Sequence, residues 1–446
     1  MATLIETLPK TTRKASVQEK RPQAASSGVS PALFPWLRAQ SINVTRHAAA
    51  LRPFQREEFG PGPAVPSESH IQAANDLITG LRRGLIKMSK RVHDSIAKAV
   101  ERPNSRRLQR VVSRKDRAHR WVQGIEKIWD FYFELFGQRQ GKYAEWLLSC
   151  DRIAMDCYQA AYTGLGVARR IPSPPPFCYM KTGFAPSTIR RGIPVTKLGK
   201  QINPFPLIQL PYHRLVNPWT LGAVMHETGH NMQSDLGLSR DVPRKVGLRL
   251  LNAGLPRSIA SVWVRWNREM FADMIAVLMG GPEIVGSLMD VVGRAPASVF
   301  YFNPRGVHPT PYLRTLISCE LLRRMGFEKE GRDYARAWRR IYPNPRSGTF
   351  PQKMLNSFPK ACALAVDAMC YKPFKSLGNK ALSEVVRFEK KDQQMIEESA
   401  GRLAAGVDPG IIPERYLIGA SRYALTHRLA RPGVITQNFY KELVRR

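Results

Sequence analysis

The chain has 446 residues, long enough to bury a large core shared among subdomains. Its 43% hydrophobic and 9% aromatic content excludes a wholly disordered or low-complexity protein. Against 35 Asp and Glu stand 69 Lys and Arg, a formal net charge of +34. That balance favours anionic partners, nucleic acid or an acidic surface, and says little about fold.

Residues 1–66 are rich in Pro, Ser, Ala and basic residues with little periodicity, and read as a basic, disordered arm. LFPWL at 33–37 is an apolar island within it. The first twenty residues lack the apolar stretch of a secretory signal, and no continuous apolar run is long enough to span a membrane. A soluble, cytoplasmic protein is the expectation, with organelle targeting or specialised export left open.

A helical region follows at 67–170. Ile78, Leu81, Leu85, Met88, Val92 and Ile96 recur at helical spacing, as do Trp121, Ile125, Ile128, Tyr132 and Leu135 after the break at Pro103-Asn104. A third helix is predicted around 141–163. From 171 the chain turns proline-rich and turn-rich. Pro206-Leu207-Ile208-Gln209-Leu210-Pro211 reads as a proline-bounded edge strand, a place where an extended peptide substrate can add. Asn217 is placed to cap a helix that Pro218 opens and Gly237 ends. One long helix is predicted from Pro256 to Gly280-Gly281-Pro282, then a shorter one to Val292 and a loop over 293–312. Residues 321–446 read as helices broken near 343–350, 371–376, 407–413 and 431–433. The expected class is α+β, predominantly α-helical, with a small sheet in a core at 171–320 between helical flanks. Six scattered cysteines without a C-x-x-C pair suit buried free thiols and a reducing compartment.

The chemistry concentrates in the middle of the chain. His226-Glu227-Thr228-Gly229-His230 is an H-E-x-x-H string on a predicted helix. Histidines four apart share one helix face and can bind one Zn²⁺, with the intervening Glu beside the metal's water. Glu269 and Asp273, 39 and 43 residues after His230, form E-x-x-x-D in NREMFADMIAVL, flanked by the apolar run MFADMIAVLM. Acidic groups on a buried helix need partners. Glu269 can be the third, oxygen ligand, and Asp273, one turn on, can accept the N–H of a metal-bound imidazole. His308 and Arg314 fall six apart in HPTPYLR. His308 is a candidate for stabilising an oxyanion, with Tyr312 in reserve, and Arg314 for orienting carboxylates or substrate. Gly229 sits inside a helix, where glycine is unfavourable, which suggests close approach by another backbone.

These elements resemble the gluzincin zinc peptidases, most of all the membrane CAAX-prenyl and heat-shock-type endopeptidases and their soluble relatives. That family pairs H-E-x-G-H with E-x-x-x-D and a later H-P-x-x-x-x-R. All three occur here in order, and the resemblance covers about residues 200 to 320. It implies a zincin-like core, Zn²⁺ held by His226, His230 and Glu269, Glu227 as catalytic base, and hydrolysis of a protein or peptide substrate. Two other readings stand beside it: a basic protein that binds nucleic acid or an anionic surface, and a metal-binding pseudo-enzyme. No zinc-finger spacing or nucleic-acid motif supports the first.

Overall fold

The computed structural model describes residues 30–166, 169–195 and 201–446, in two compact units. The first unit joins the described residues up to Ala50 with Gly84–Trp121. It contains α1 (Leu33–Ala50), the second half of α2 (Glu68–Glu101) and the first half of α3 (Ser105–Gly137). Leu37 and Val44, Leu85, Val92 and Ala99, and Val111 and Ala118 are all fully buried. Their seven-residue spacing within each helix is that of a coiled-coil seam. Side chains stitch the seam: Thr45 Oγ1 lies 3.2 Å from Ser89 Oγ, and Arg107 Nη1 donates to the Lys98 carbonyl at 2.7 Å. The expectation of disorder over 1–66 therefore fails from Leu33 onward, where the apolar island begins a helix with a buried stripe. Residues 1–29 lie outside the described residues.

The second unit, Leu51–Arg83 with Val122–Arg446, carries α4 (Ala144–Gly164) and a three-stranded sheet. The strands are β1 (Phe177–Met180), β2 (Ser187–Ile189) and β3 (Leu207–Leu210), in the order β1-β3-β2. β3 runs parallel to β1, with Phe177 opposite Leu207, and antiparallel to β2, with Thr188 opposite Ile208. The predicted edge strand at 206–211 is thus the middle strand. Its prolines stop the ladder at either end and leave the N–H groups of 207–210 free to pair on both sides. The outer strands are β1 and β2. Alternate residues face different cores: Phe177, Tyr179 and Leu207 join an aromatic cluster with Phe136 and Phe205, while Cys178, Ile208 and Leu210 join the main helical core.

The helices that follow are α5 (Tyr212–Leu215), α6 (Gly222–Asp235), α7 (Asp241–Asn252), α8 (Arg257–Arg265), α9 (Asn267–Gly280), α10 (Pro282–Val292), α11 (Pro296–Val299), α12 (Pro311–Arg324) and α13 (Glu328–Ile341). α14 (Gln352–Cys370), α15 (Leu382–Val385), α16 (Lys390–Ala405), α17 (Tyr416–Thr426) and α18 (Pro432–Arg445) complete the chain, with breaks at the four predicted places. Asn217 does not cap α6. Its Nδ2 donates back to the His213 carbonyl, and Pro218 opens a 3₁₀ turn instead. Gly237, at φ +73°, ends α6 with Leu238 N–H donating to the Gln233 carbonyl at 2.9 Å. The single helix predicted from Pro256 to Gly280 is two. Asn267 Nδ2 takes the Val264 carbonyl at 2.7 Å and its Oδ1 accepts from Gln233, and a side chain that competes for backbone groups interrupts a helix. All six cysteines are free and buried. Among the described residues no helix is long and apolar enough to cross a membrane.

Candidate metal centre

α9 is the most deeply placed helix of the site: every residue from Glu269 to Gly280 is buried. Such a helix is apolar on all faces, and a carboxylate on it must be matched. α6 packs across it at Gly229, where a Cβ would come within 3.0 Å of the Ala272 Cα. Only glycine permits that approach, which brings one turn of α6, His226 to His230, against one turn of α9, Glu269 to Asp273.

The result is a tight triangle of donor atoms. His226 Nε2 and His230 Nε2 are 3.1 Å apart, and the two Glu269 oxygens lie 3.4 Å from them, Oε2 from His226 and Oε1 from His230. Bonds of about 2.0–2.1 Å from a tetrahedral zinc ion place its ligand atoms about 3.3 Å apart. The triangle already has that size, so these three residues can hold a metal ion, with a fourth position left over.

The groups behind the triangle fix it. Asp273 Oδ1 sits 2.8 Å from His226 Nδ1, so a proton there leaves Nε2 free to bind. Arg314, from α12, grips Asp273 with Nε on Oδ2 at 2.5 Å and Nη2 on Oδ1 at 2.8 Å. Its Nη2 is also 3.7 Å from Glu269 Oε2. His308 Nε2 lies 3.3 Å from Glu269 Oε1 on a side chain that is 66% exposed. The structure thus pairs His308 with the carboxylate, a contact the oxyanion role did not anticipate. Tyr312 is buried with Phe300 and Phe350 and belongs to the core.

Electrostatics follow from this burial. Removal from water opposes charge on His226, but Asp273 outweighs it and raises the imidazole to about 9. Burial and the neighbouring His226 hold His230 neutral, down to about 3. Burial pushes the Glu227 carboxyl up to about 7. Burial also opposes charge on Glu269 and Asp273, yet His226 and Arg314 keep both below the ordinary carboxylate range. Without a metal His226 carries a proton at neutral pH; once a cation displaces it and both histidines are neutral, three carboxylates against one guanidinium leave a buried charge of −2, or −1 when Glu227 is protonated. A divalent cation at the triangle offsets it, and the N, N, O donor set without cysteine suits zinc with an open position.

That open position faces a cleft of about 870 Å³. His226, Glu227, His230, Glu269, Asp273, His308 and Arg314 all line it, so every predicted site residue meets at one place. The sequence offered no pointer to Ser187 and Thr188 of β2, which also line it. Thr188 Oγ1 accepts from Asn231 Nδ2 at 2.9 Å and donates to the Leu207 carbonyl, tying the sheet edge to the histidine helix. Asn231, which follows His230 directly, is buried. No protein-family model matches the chain, and no curated protein or solved structure matches it.

Proposed function

We propose that the protein is a zinc-dependent metalloendopeptidase with a zincin-like core. The observation that supports this reading most is the pre-sized triangle of His226, His230 and Glu269, with buried Glu227 beside it on the floor of an open cleft. Zn²⁺ bound there supplies Lewis-acid polarisation of a carbonyl and a nucleophile at neutral pH. Glu227, raised to about 7, is suited to take a proton from attacking water and hand it to the departing amine. In that reaction the amide C–N bond breaks, the water oxygen joins the acyl carbon, and the proton goes to nitrogen. Asp273 and Arg314 hold His226 in one orientation throughout. An extended peptide lies along β2, whose outer edge borders the cleft. The test is zinc content and cleavage of a diverse peptide library by the wild type and Glu227→Gln. Zinc retained with cleavage lost supports the reading. A zinc-free wild type that cleaves nothing sinks it.

A second reading rests on where the charge sits. Residues 30–50 and 84–121, the described part of the first unit, hold 14 Lys and Arg against 3 Asp and Glu. Arg106, Arg110, Arg117 and Arg120 are exposed on one helix. This helical arm is suited to an anionic partner, nucleic acid or an acidic surface. Steeply salt-dependent binding of either one is the measurement that supports it; binding that ignores salt counts against it.

A further inference from the structure

The two ends of the cleft differ in chemistry. α6 and α9 cross so that the start of α6 meets the end of α9. At that end Ala223, Val277, Ile284, Leu288 and Val292 line an apolar chamber. The opposite end is basic. Arg190 follows β2 and Arg268 immediately precedes Glu269, and both line the cleft. Arg190 is half-buried, and neither arginine has a carboxylate within ion-pair distance among the described residues. Burial and then the like charge of Arg268 disfavour the Arg190 cation. Three buried arginines are matched, Arg314 by Asp273, Arg415 by Asp156 and Arg422 by Asp290, whereas buried Arg214 has no carboxylate within ion-pair distance among the described residues. The neighbouring Arg265 spends a donor on the Pro304 carbonyl, and Arg294 lies 3.7 Å over the Phe184 ring. Half-buried Arg190 and exposed Arg268 both line the cleft without an anion of the protein's own among the described residues, so a ligand carboxylate can pair with them.

We propose, on the basis of the peptidase reading, that the cleft selects an acidic peptide. A Glu or Asp side chain sits between Arg190 and Arg268, and a large aliphatic side chain of the same peptide fills the chamber between α6, α9 and α10. The metal triangle lies between these two anchors, so the scissile bond falls between the acidic and the aliphatic residue. Arg190 is a specificity residue here and takes no part in the bond-breaking step.

The experiment uses full-length, zinc-loaded protein and fluorogenic peptides of one frame, carrying Glu, Gln or Lys at the first anchor and Leu, Phe or Ala at the second. Expected kcat/KM falls from Glu to Gln to Lys by about tenfold or more overall, since a charge-assisted hydrogen bond is worth about that much and a lysine there is repelled. Arg190→Glu reverses the order of Glu and Lys while its melting temperature and zinc content stay at wild-type values. Leu288→Ala enlarges the chamber and shifts the second preference from Leu towards Phe. Binding is read separately by fluorescence anisotropy of labelled Glu and Lys peptides on Glu227→Gln, at low and high salt. Equal cleavage of the Glu, Gln and Lys peptides overturns the proposal and leaves the peptidase reading standing. No cleavage of any peptide, with the Glu peptide still bound more tightly than the Lys peptide, overturns the peptidase reading and retains anion recognition. Neither cleavage nor preferential binding overturns both.

Discussion

Gly229 stands against Ala272 and Ile275, and a methyl group added to it would come within 2.7 Å of the Ile275 side chain and 3.2 Å of the Ala272 carbonyl oxygen. Two effects oppose each other in Gly229→Ala. Helix propensity favours alanine by about 1 kcal/mol. Overpacking between α6 and α9 costs about 1–3 kcal/mol, and one obstacle is backbone that cannot rotate away. The net expectation is lower stability together with weaker metal binding, because the same crossing sets the distance from the histidines to Glu269. Thermal melts with and without zinc, and competition with a chromogenic chelator, check both. A more stable variant with unchanged zinc affinity would show that the crossing has slack.

Asp273 serves two neighbours, His226 and Arg314. Asp273→Asn removes the carboxylate that orients His226, which lowers metal affinity about 10- to 100-fold. It also strands the Arg314 guanidinium in the interior, where an unmatched charge costs about 3–5 kcal/mol. The two losses separate in the double variant Asp273→Asn with Arg314→Met. Stability recovers in part, since the stranded guanidinium is gone although Glu269 loses its contact with it, while zinc affinity stays low. Chelator titration and urea unfolding measure the two quantities independently.

Much of the helical framework was readable because apolar residues at three- and four-residue spacing reach the core, as Ile78, Leu85, Val92 and Ile96 do. The charged residues of the centre were readable for a related reason. Carboxylates in EMFADMIAVLM have no cheap explanation except partners, and those partners are His226, Arg314 and their neighbours. What spacing could not supply was adjacency. Prolines at 206 and 211 mark where β3 ends and say nothing about what pairs along its length. β2, only three residues long, has no apolar pattern to announce it. The division of 256–280 at Trp266 turns on one Asn267 amide reaching one carbonyl, a choice made by the tertiary partner Gln233 and invisible to propensity.

His70 gives a pH dependence remote from the metal centre. It is buried between Ser67 and the Pro175 carbonyl, packed on Phe177 and Phe205, and burial lowers its pKa from 6.5 to about 4. The imidazole is neutral in the folded protein and protonates more readily when unfolded. Its contribution is therefore present above pH 6.5 and is lost as pH falls towards 4. The full shift corresponds to about 3 kcal/mol. Denaturant unfolding of wild type and His70→Gln between pH 7.5 and 4 should show the wild type losing stability relative to the variant across that window. A constant difference would mean that His70 has no depressed pKa.

The tie between Asn231 and Thr188 is the last relationship with a measurable consequence. Thr188→Val keeps the shape and strand preference of the residue but removes the hydroxyl that bridges Asn231 to the Leu207 carbonyl. The loss of a partly buried hydrogen bond costs about 1 kcal/mol, and Asn231 still donates to the Glu227 carbonyl, so the histidine helix keeps its form. Zinc content should be unchanged. If peptides bind along β2, loosening that edge raises KM several-fold and leaves kcat near the wild-type value, because the substrate is held less well while the metal centre is untouched. A fall in kcat with unchanged KM would place the contribution of Thr188 at the reacting bond, and no change in either would remove β2 from the binding surface.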